Sequence, residues 1–144
     1  MPSFKPGDRV RLEGRVGNKP ELRQTDSGKP VTDFSLYVDE GALDADGQWQ
    51  KTGEEKYKVT VWDQQAKHVA QSLQPGVRVN VRGRFDEERP YTTRSGEPAT
   101  SLDVTAREVA MSLLWNPVQA LRAERGAGRG ADANGIDASA GAEI

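Results

Sequence analysis

The chain has 144 residues, with 22 acidic and 20 basic side chains, a formal net charge of −2, one histidine and no cysteine. That length suits one domain with an appendage, and the lack of cysteine excludes thiolate catalysis, disulfides and cysteine-ligated zinc. No apolar run reaches eighteen residues and the start MPSFKPGDRV has no signal-like core, so a cytoplasmic protein with no membrane partner is expected.

The first predicted element is a half-buried strand. Val10, Leu12, Gly14 and Val16 take its inner face and Arg9, Arg11, Glu13 and Arg15 its outer face, a period of two. Residues 32–38 repeat the alternation with Phe34, Leu36 and Val38. Residues 57–62 do so with Tyr57, Val59 and Val61 inward and Lys58, Thr60 and Trp62 outward, Lys56 sharing the outward parity. Ala66, Val69, Ala70 and Leu73 then fall at helical spacing, and Pro75-Gly76 stops the helix. Val77, Val79 and Val81 line a fourth strand with Arg78, Asn80, Arg82 and Arg84 opposite; Leu102, Val104 and Ala106 line a fifth. Three strands, a helix and two strands is the order of an all-β, five-stranded OB-fold, a Greek-key barrel that binds oligonucleotides on its face and loops.

Two connections are longer than such a barrel needs: 39–55, with Gly41, Gly47 and Gly53, and 86–98, with Ser95-Gly96 at its tip. Long loops in a small domain are usually functional or disordered. Beyond the barrel domain at 1–115, Asn116-Pro117 reads as a helix start, giving a short helical extension over 116–125. Residues 126–144 are rich in Gly, Ala, Asp and Ser and have too little apolar surface to fold, so a disordered tail is expected.

The chemistry that suits this pattern is stacking plus charge. Single strands are held by aromatic rings against bases and by cations along the phosphates, without regard to sequence. Trp62 shares its outward face with Lys56 and Lys58 and is an odd residue to expose unless it binds something. No bond chemistry is expected. His68 has no phased acid or hydroxyl, the glycines form no phosphate loop, and the acidic residues lack metal-site spacing, so neither a cofactor nor a metal is called for.

Four phrases, LEGRVGNKPELR (12–23), PELRQTDSGKPVTDFSL (20–36), VTVWDQQAKHVAQSLQPGVRVNVRGRF (59–85) and VTAREVAMSLLW (104–115), resemble the bacterial single-stranded DNA-binding proteins in order and spacing. The resemblance implies an OB-fold that binds and protects single-stranded DNA in replication, recombination or repair, near the nucleoid, as a homotetramer. It matches Trp62 to a stacking aromatic, and Tyr91 and, more loosely, Trp49 in GQWQKTGE to further ones. It matches Arg9, Arg23, Lys58 and Arg89 to basic positions, with Arg82, Arg84 and Lys56 sharing outward parity. It sets Tyr57 near the contact between copies, and implies that the two long connections extend the DNA-binding surface. The chain departs from the family at Lys56, where an aromatic is common, at Asp86, Glu87 and Glu88, where many members are basic, and at its end, ASAGAEI, which lacks the acidic Pro-Phe tip that recruits partner proteins. Recruitment of replication or repair proteins through the tail is therefore not expected. The alternative is an OB-fold adaptor for protein or RNA with weak DNA affinity.

Overall fold

The alternating segments become long, curved strands in a computed structural model that describes residues 3–121. In chain order they are β1 (Arg9–Val16), β2 (Arg23–Gln24), β3 (Pro30–Leu43), β4 (Trp49–Trp62), α1 (Asp63–Ser72), β5 (Arg78–Thr92) and β6 (Pro98–Met111). The sheet runs β1-β5-β6-β4-β3-β2, and β1 closes it by pairing Arg15 with Tyr37 and Val16 with Leu36 on β3. Among the described residues only β4 and β6 pair in parallel. This is the expected closed five-strand OB barrel with one helix between its third and fourth principal strands; β2 is a two-residue addition at the edge that alternation is too short to reveal.

The inward residues are those the period of two selects. Phe34, Leu36, Val59, Val61, Val79, Val81, Phe85, Leu102 and Val104 are all buried, and Ala66, Val69 and Leu73 press the apolar side of α1 onto them. Each such side chain contributes roughly 1.5–3 kcal/mol of burial. Phe4 leans on Phe85 with ring centroids 5.4 Å apart. Thr32, a buried polar residue, donates its hydroxyl to the Glu21 carbonyl at 2.8 Å, so its burial leaves no orphan hydroxyl.

The two long connections are not loops. β3 continues to Leu43 and β4 starts at Trp49; β5 continues to Thr92 and β6 starts at Pro98, so both arms are two-stranded ribbons with five-residue tips. Their closure has a local cause. TDSGK (25–29), DADGQ (44–48) and TRSGE (93–97) fold alike: the first residue's N–H reaches the fifth carbonyl and the glycine N–H reaches the first carbonyl, at 2.8–3.0 Å. Gly28, Gly47 and Gly96 sit at φ +85, +79 and +87, the left-handed position of a three-residue hairpin loop. The first side chain then accepts from the fifth N–H, through Thr25 Oγ1, Asp44 Oδ1 and Thr93 Oγ1. The Gln48 N–H is the main reason the Asp44 carboxyl titrates below its ordinary value.

The helix expected over 116–125 does not form over 116–121. An N-cap needs its side-chain oxygen to accept from the following amides. Asn116 instead donates from Nδ2 to the carbonyls of Arg78 at 3.0 Å and Ser112 at 2.9 Å, which ties the end of the barrel back to β5. The remainder of that segment and the expected disordered tail lie outside the described residues.

Candidate nucleic-acid interface

Trp62 ends β4 on the outer face of the barrel, and the next residue turns the chain sharply. Asp63 has φ +64, a left-handed conformation that non-glycine residues seldom adopt and Asp tolerates better than most. This bend starts α1 at once and leaves the Trp62 ring on the outer face, 37% exposed. The barrel therefore does not close over Trp62. Lys29, at the end of the first five-residue turn, sets its ammonium 5.4 Å from the Trp62 ring centroid. The register explains the meeting, since Val31 lies opposite Trp62. Lys29 is absent from the sequence-based site because only cross-strand register reveals it.

Lys56 and Lys58 follow on the same face of β4, both half-buried and neither with an ion-pair partner among the described residues. Lys56 stands over the Tyr91 ring, 4.7 Å from its centroid. The lysine at a position where an aromatic was expected thus covers one face of the aromatic on the next ribbon. Trp49 lies on the first arm, 56% exposed, against Gly41, where any Cβ would come 2.6 Å from its ring. Trp62, Lys58 and Lys56 share the outward face of β4, while Trp49 and Tyr91 lie close to the tips of the two ribbons.

The arginines are placed differently. Arg23 is paired with Asp33 at 3.0 Å, Arg82 with Glu108 at 2.7 Å, Arg84 with Asp86 at 3.1 Å and Arg89 with Asp103 at 3.0 Å. The Asp103 contact also raises Arg89 above its ordinary pKa. Only Arg9 of the sequence-selected arginines has no ion pair among the described residues. Strand parity puts Arg9, Arg82 and Arg84 outside but cannot show which carboxylate lies across the next strand. Of the acidic stretch 86–88, Asp86 holds Arg84 and accepts from the Thr105 hydroxyl at 2.6 Å, while Glu87 faces Asp103 across the β5–β6 ladder.

Tyr57, expected at the contact between copies, is a core residue. It is 2% exposed, in line with the inward parity of Val59 and Val61, and offers no surface of its own to a second copy. Burial, with the Glu55 and Glu40 carboxylates nearby, pushes its hydroxyl up to about 12. Glu55 titrates above its ordinary range through burial and a hydrogen bond with Glu40. Beyond β6, Leu113, Leu114 and Trp115 are exposed, with Arg78 5.1 Å from the Trp115 ring centroid. Among the described residues no helix is long and apolar enough to cross a membrane.

A closed five-strand barrel whose outer face gathers aromatic rings and cations is the arrangement of an OB-fold oligonucleotide binder. Residues 8–112 match the single-strand binding protein family model, and the chain belongs to that family. The single-stranded DNA-binding protein of Paenarthrobacter aurescens is 33% identical over 127 residues, covering 88% of this chain and 74% of that protein. That of Mycobacterium tuberculosis is 34% identical over 123 residues, covering 84% and 74%. Among solved structures, the small single-stranded DNA-binding protein from Streptomyces coelicolor superposes with a TM-score of 0.64 at 26% identity, over 76% of this chain and 98% of that one. A Plasmodium falciparum SSB complex with ssDNA, at 22% identity and a TM-score of 0.55, shares the fold over 78% of this chain and 99% of that one.

Proposed function

We infer that this protein binds single-stranded DNA without regard to sequence, stacking bases on Trp62 and leading the phosphates past Lys29, Lys56 and Lys58. The observation that carries this reading is the partly exposed Trp62 ring with the Lys29 ammonium 5.4 Å from its centroid, on the β4 face that also carries Lys56 and Lys58. Stacking tolerates any base because every base has a π face. Tyr91 serves as a second, weaker platform because Lys56 already covers one of its faces. Arg9 and, after release from their carboxylates, Arg23, Arg82, Arg84 and Arg89 extend the charged track, with Trp49 reached by the arm. Protection of exposed strands during replication, recombination or repair is the role that follows for a protein of this kind in the cytoplasm.

Assembly into a homotetramer completes the reading, because one barrel face is short for a long strand. Light scattering at micromolar concentration should give about four chain masses, and a monomeric mass would contradict the proposal.

The deciding experiment is a fluorescence titration with poly(dT), with duplex DNA and acidic protein competitors alongside. Strong tryptophan quenching, preference over duplex and a log–log salt slope near −0.7 per phosphate contact are expected. An adaptor that binds protein instead would show no quenching, and equal affinity for duplex would also defeat the proposal.

A further inference from the structure

Tyr37 is a large aromatic residue on the outward face of β3, where the core does not require one. Phe34, Leu36 and Val38 carry the inward parity of that strand, and Tyr37 lies half-buried on the other side. In the β3–β4 register it stands directly opposite Lys56, as Ser35 stands opposite Lys58. We propose that Tyr37 is a further base-stacking subsite for single-stranded DNA, so that bases rest on Tyr37 and Tyr91 while the backbone linking them passes Lys56; this rests on the single-stranded DNA reading above.

The ring is held in advance of any ligand. It reaches over the end of β1, where Gly17 makes room for it, since a Cβ at that position would collide with the ring atoms Cε2 and Cδ2. The Gly17 N–H donates to the Ser35 carbonyl at 2.8 Å, which fixes the backbone beside the ring. Arg15, opposite Tyr37 on β1, brings its guanidinium 5.8 Å from the ring centroid and is itself held by Glu54 at 3.0 Å. A ring already seated in this way loses little freedom when a base arrives, which favours binding.

Packing accounts for only part of the residue. A buried tyrosine usually finds a hydrogen-bond partner for its hydroxyl, and the Tyr37 hydroxyl has none among the described residues. Nor does Tyr37 belong to the hydrophobic core cluster or to the partly buried residues packed against it.

Placement ties the ring to the rest of the surface. The sheet order β5-β6-β4-β3 puts Tyr37 and Tyr91 on opposite sides of β4. Tyr37 is the cross-strand neighbour of Lys56, and the Tyr91 ring centroid lies 4.7 Å from the Lys56 ammonium. Lys56 has no ion pair among the described residues, so its charge is available to a phosphate between the two rings. At about 3.3 Å per residue, Lys56 lies roughly 20 Å along β4 from Trp62. A strand stacked on Trp62 and following the lysines therefore reaches this subsite and turns across β4 there.

The test uses the full chain and a dT oligonucleotide of about 16 nucleotides, the upper end of site sizes for one barrel. Tyr37→Leu keeps apolar cover over Gly17 and removes the aromatic face. It should weaken binding about fivefold or more and leave the salt slope unchanged, because no phosphate contact is lost. Tyr37→Phe keeps the ring and should bind within about twofold of the parent. In the parent, iododeoxyuridine placed along the oligonucleotide should photocross-link to Tyr37 as well as to Trp62. No cross-link at Tyr37 would overturn the proposal even where Tyr37→Leu fails to fold, and so would a folded Tyr37→Leu protein of parental affinity. A slope shallower by about 0.7 in Tyr37→Leu would overturn it by showing that the ring acts only by placing Lys56. An altered assembly mass by light scattering would overturn it by assigning the ring to contact between copies. Failure of the DNA reading itself shows separately, as absent tryptophan quenching by poly(dT) in the parent.

Discussion

Replacing Trp62 separates stacking from packing if the substitute is chosen with care. The ring is about two thirds covered. At up to about 250 Å² for a tryptophan and about 25 cal/mol per Å², Trp62→Ala therefore removes at most about 4 kcal/mol of burial, an upper limit. That is a large part of a domain stability of roughly 5–15 kcal/mol, so alanine could weaken DNA binding merely by loosening the β4–α1 junction. Trp62→Leu keeps much of the apolar contact and removes only the aromatic face. A stacked base contributes about 1–3 kcal/mol, and displacing Lys29 from the ring forfeits about 0.5–1 kcal/mol. The expected net loss is about 1–2 kcal/mol, roughly five- to thirtyfold in Kd. Anisotropy of a labelled dT oligonucleotide at one salt concentration, with melting temperatures measured in parallel, gives both quantities. A folded Trp62→Leu protein that binds within about twofold of the parent would remove the ring from the interface and refute the stacking argument.

Three further perturbations have determined signs. Glu87→Lys with Glu88→Lys removes the acidic pair beside Asp103 and Glu55, so DNA affinity should rise and its salt slope steepen; unchanged slopes would mean the second ribbon never meets the strand. Glu55 titrates above its ordinary value when folded, chiefly through burial and then Glu40, so its stabilising share is complete below about 4.5 and is lost as pH rises through the raised value. Glu55→Gln should thus gain melting temperature over the parent at neutral pH and lose that advantage in acid, and parallel pH profiles would contradict this. Asp63→Gly should hold or improve stability by relieving φ +64, whereas Asp63→Val should destabilise by about 1 kcal/mol or more and lower DNA affinity through Trp62; equal melting points would show that the bend is unstrained.

The barrel was legible because its information is local. In 9–16, 32–38, 57–62 and 77–85, strict alternation marks the wall facing the core, and its apolar residues are buried, with Val38 and Val77 partly so. The ribbons were hidden by the opposite circumstance, since their strands face water on both sides and carry little alternation. Their signal was the recurrence of TDSGK, DADGQ and TRSGE, a turn grammar written three times. Asn116 misled because a capping residue and a donor to stray carbonyls look alike in sequence. At the site, Trp62, Lys56 and Lys58 follow from parity on one strand. Lys29 and the carboxylate partners of the arginines depend on register between strands distant in sequence, which no single segment encodes.

Those carboxylate partners bear on how a chain of net charge −2 can hold a polyanion. A phosphate that meets Lys58 releases a condensed counterion and adds fully to the salt dependence. A phosphate that meets Arg82 must draw the guanidinium from Glu108, leaving a carboxylate that recruits cations in turn, so the net release per contact is smaller. The number of contacts and the salt slope should then disagree, with more residues affecting affinity than the slope accounts for. Arg82→Gln should weaken binding while changing the slope by well under 0.7, and Lys58→Gln should change both. If Arg82→Gln lowered the slope by about 0.7 or more, its pairing with Glu108 would not persist in the free protein, and the arginines would form an ordinary open basic track.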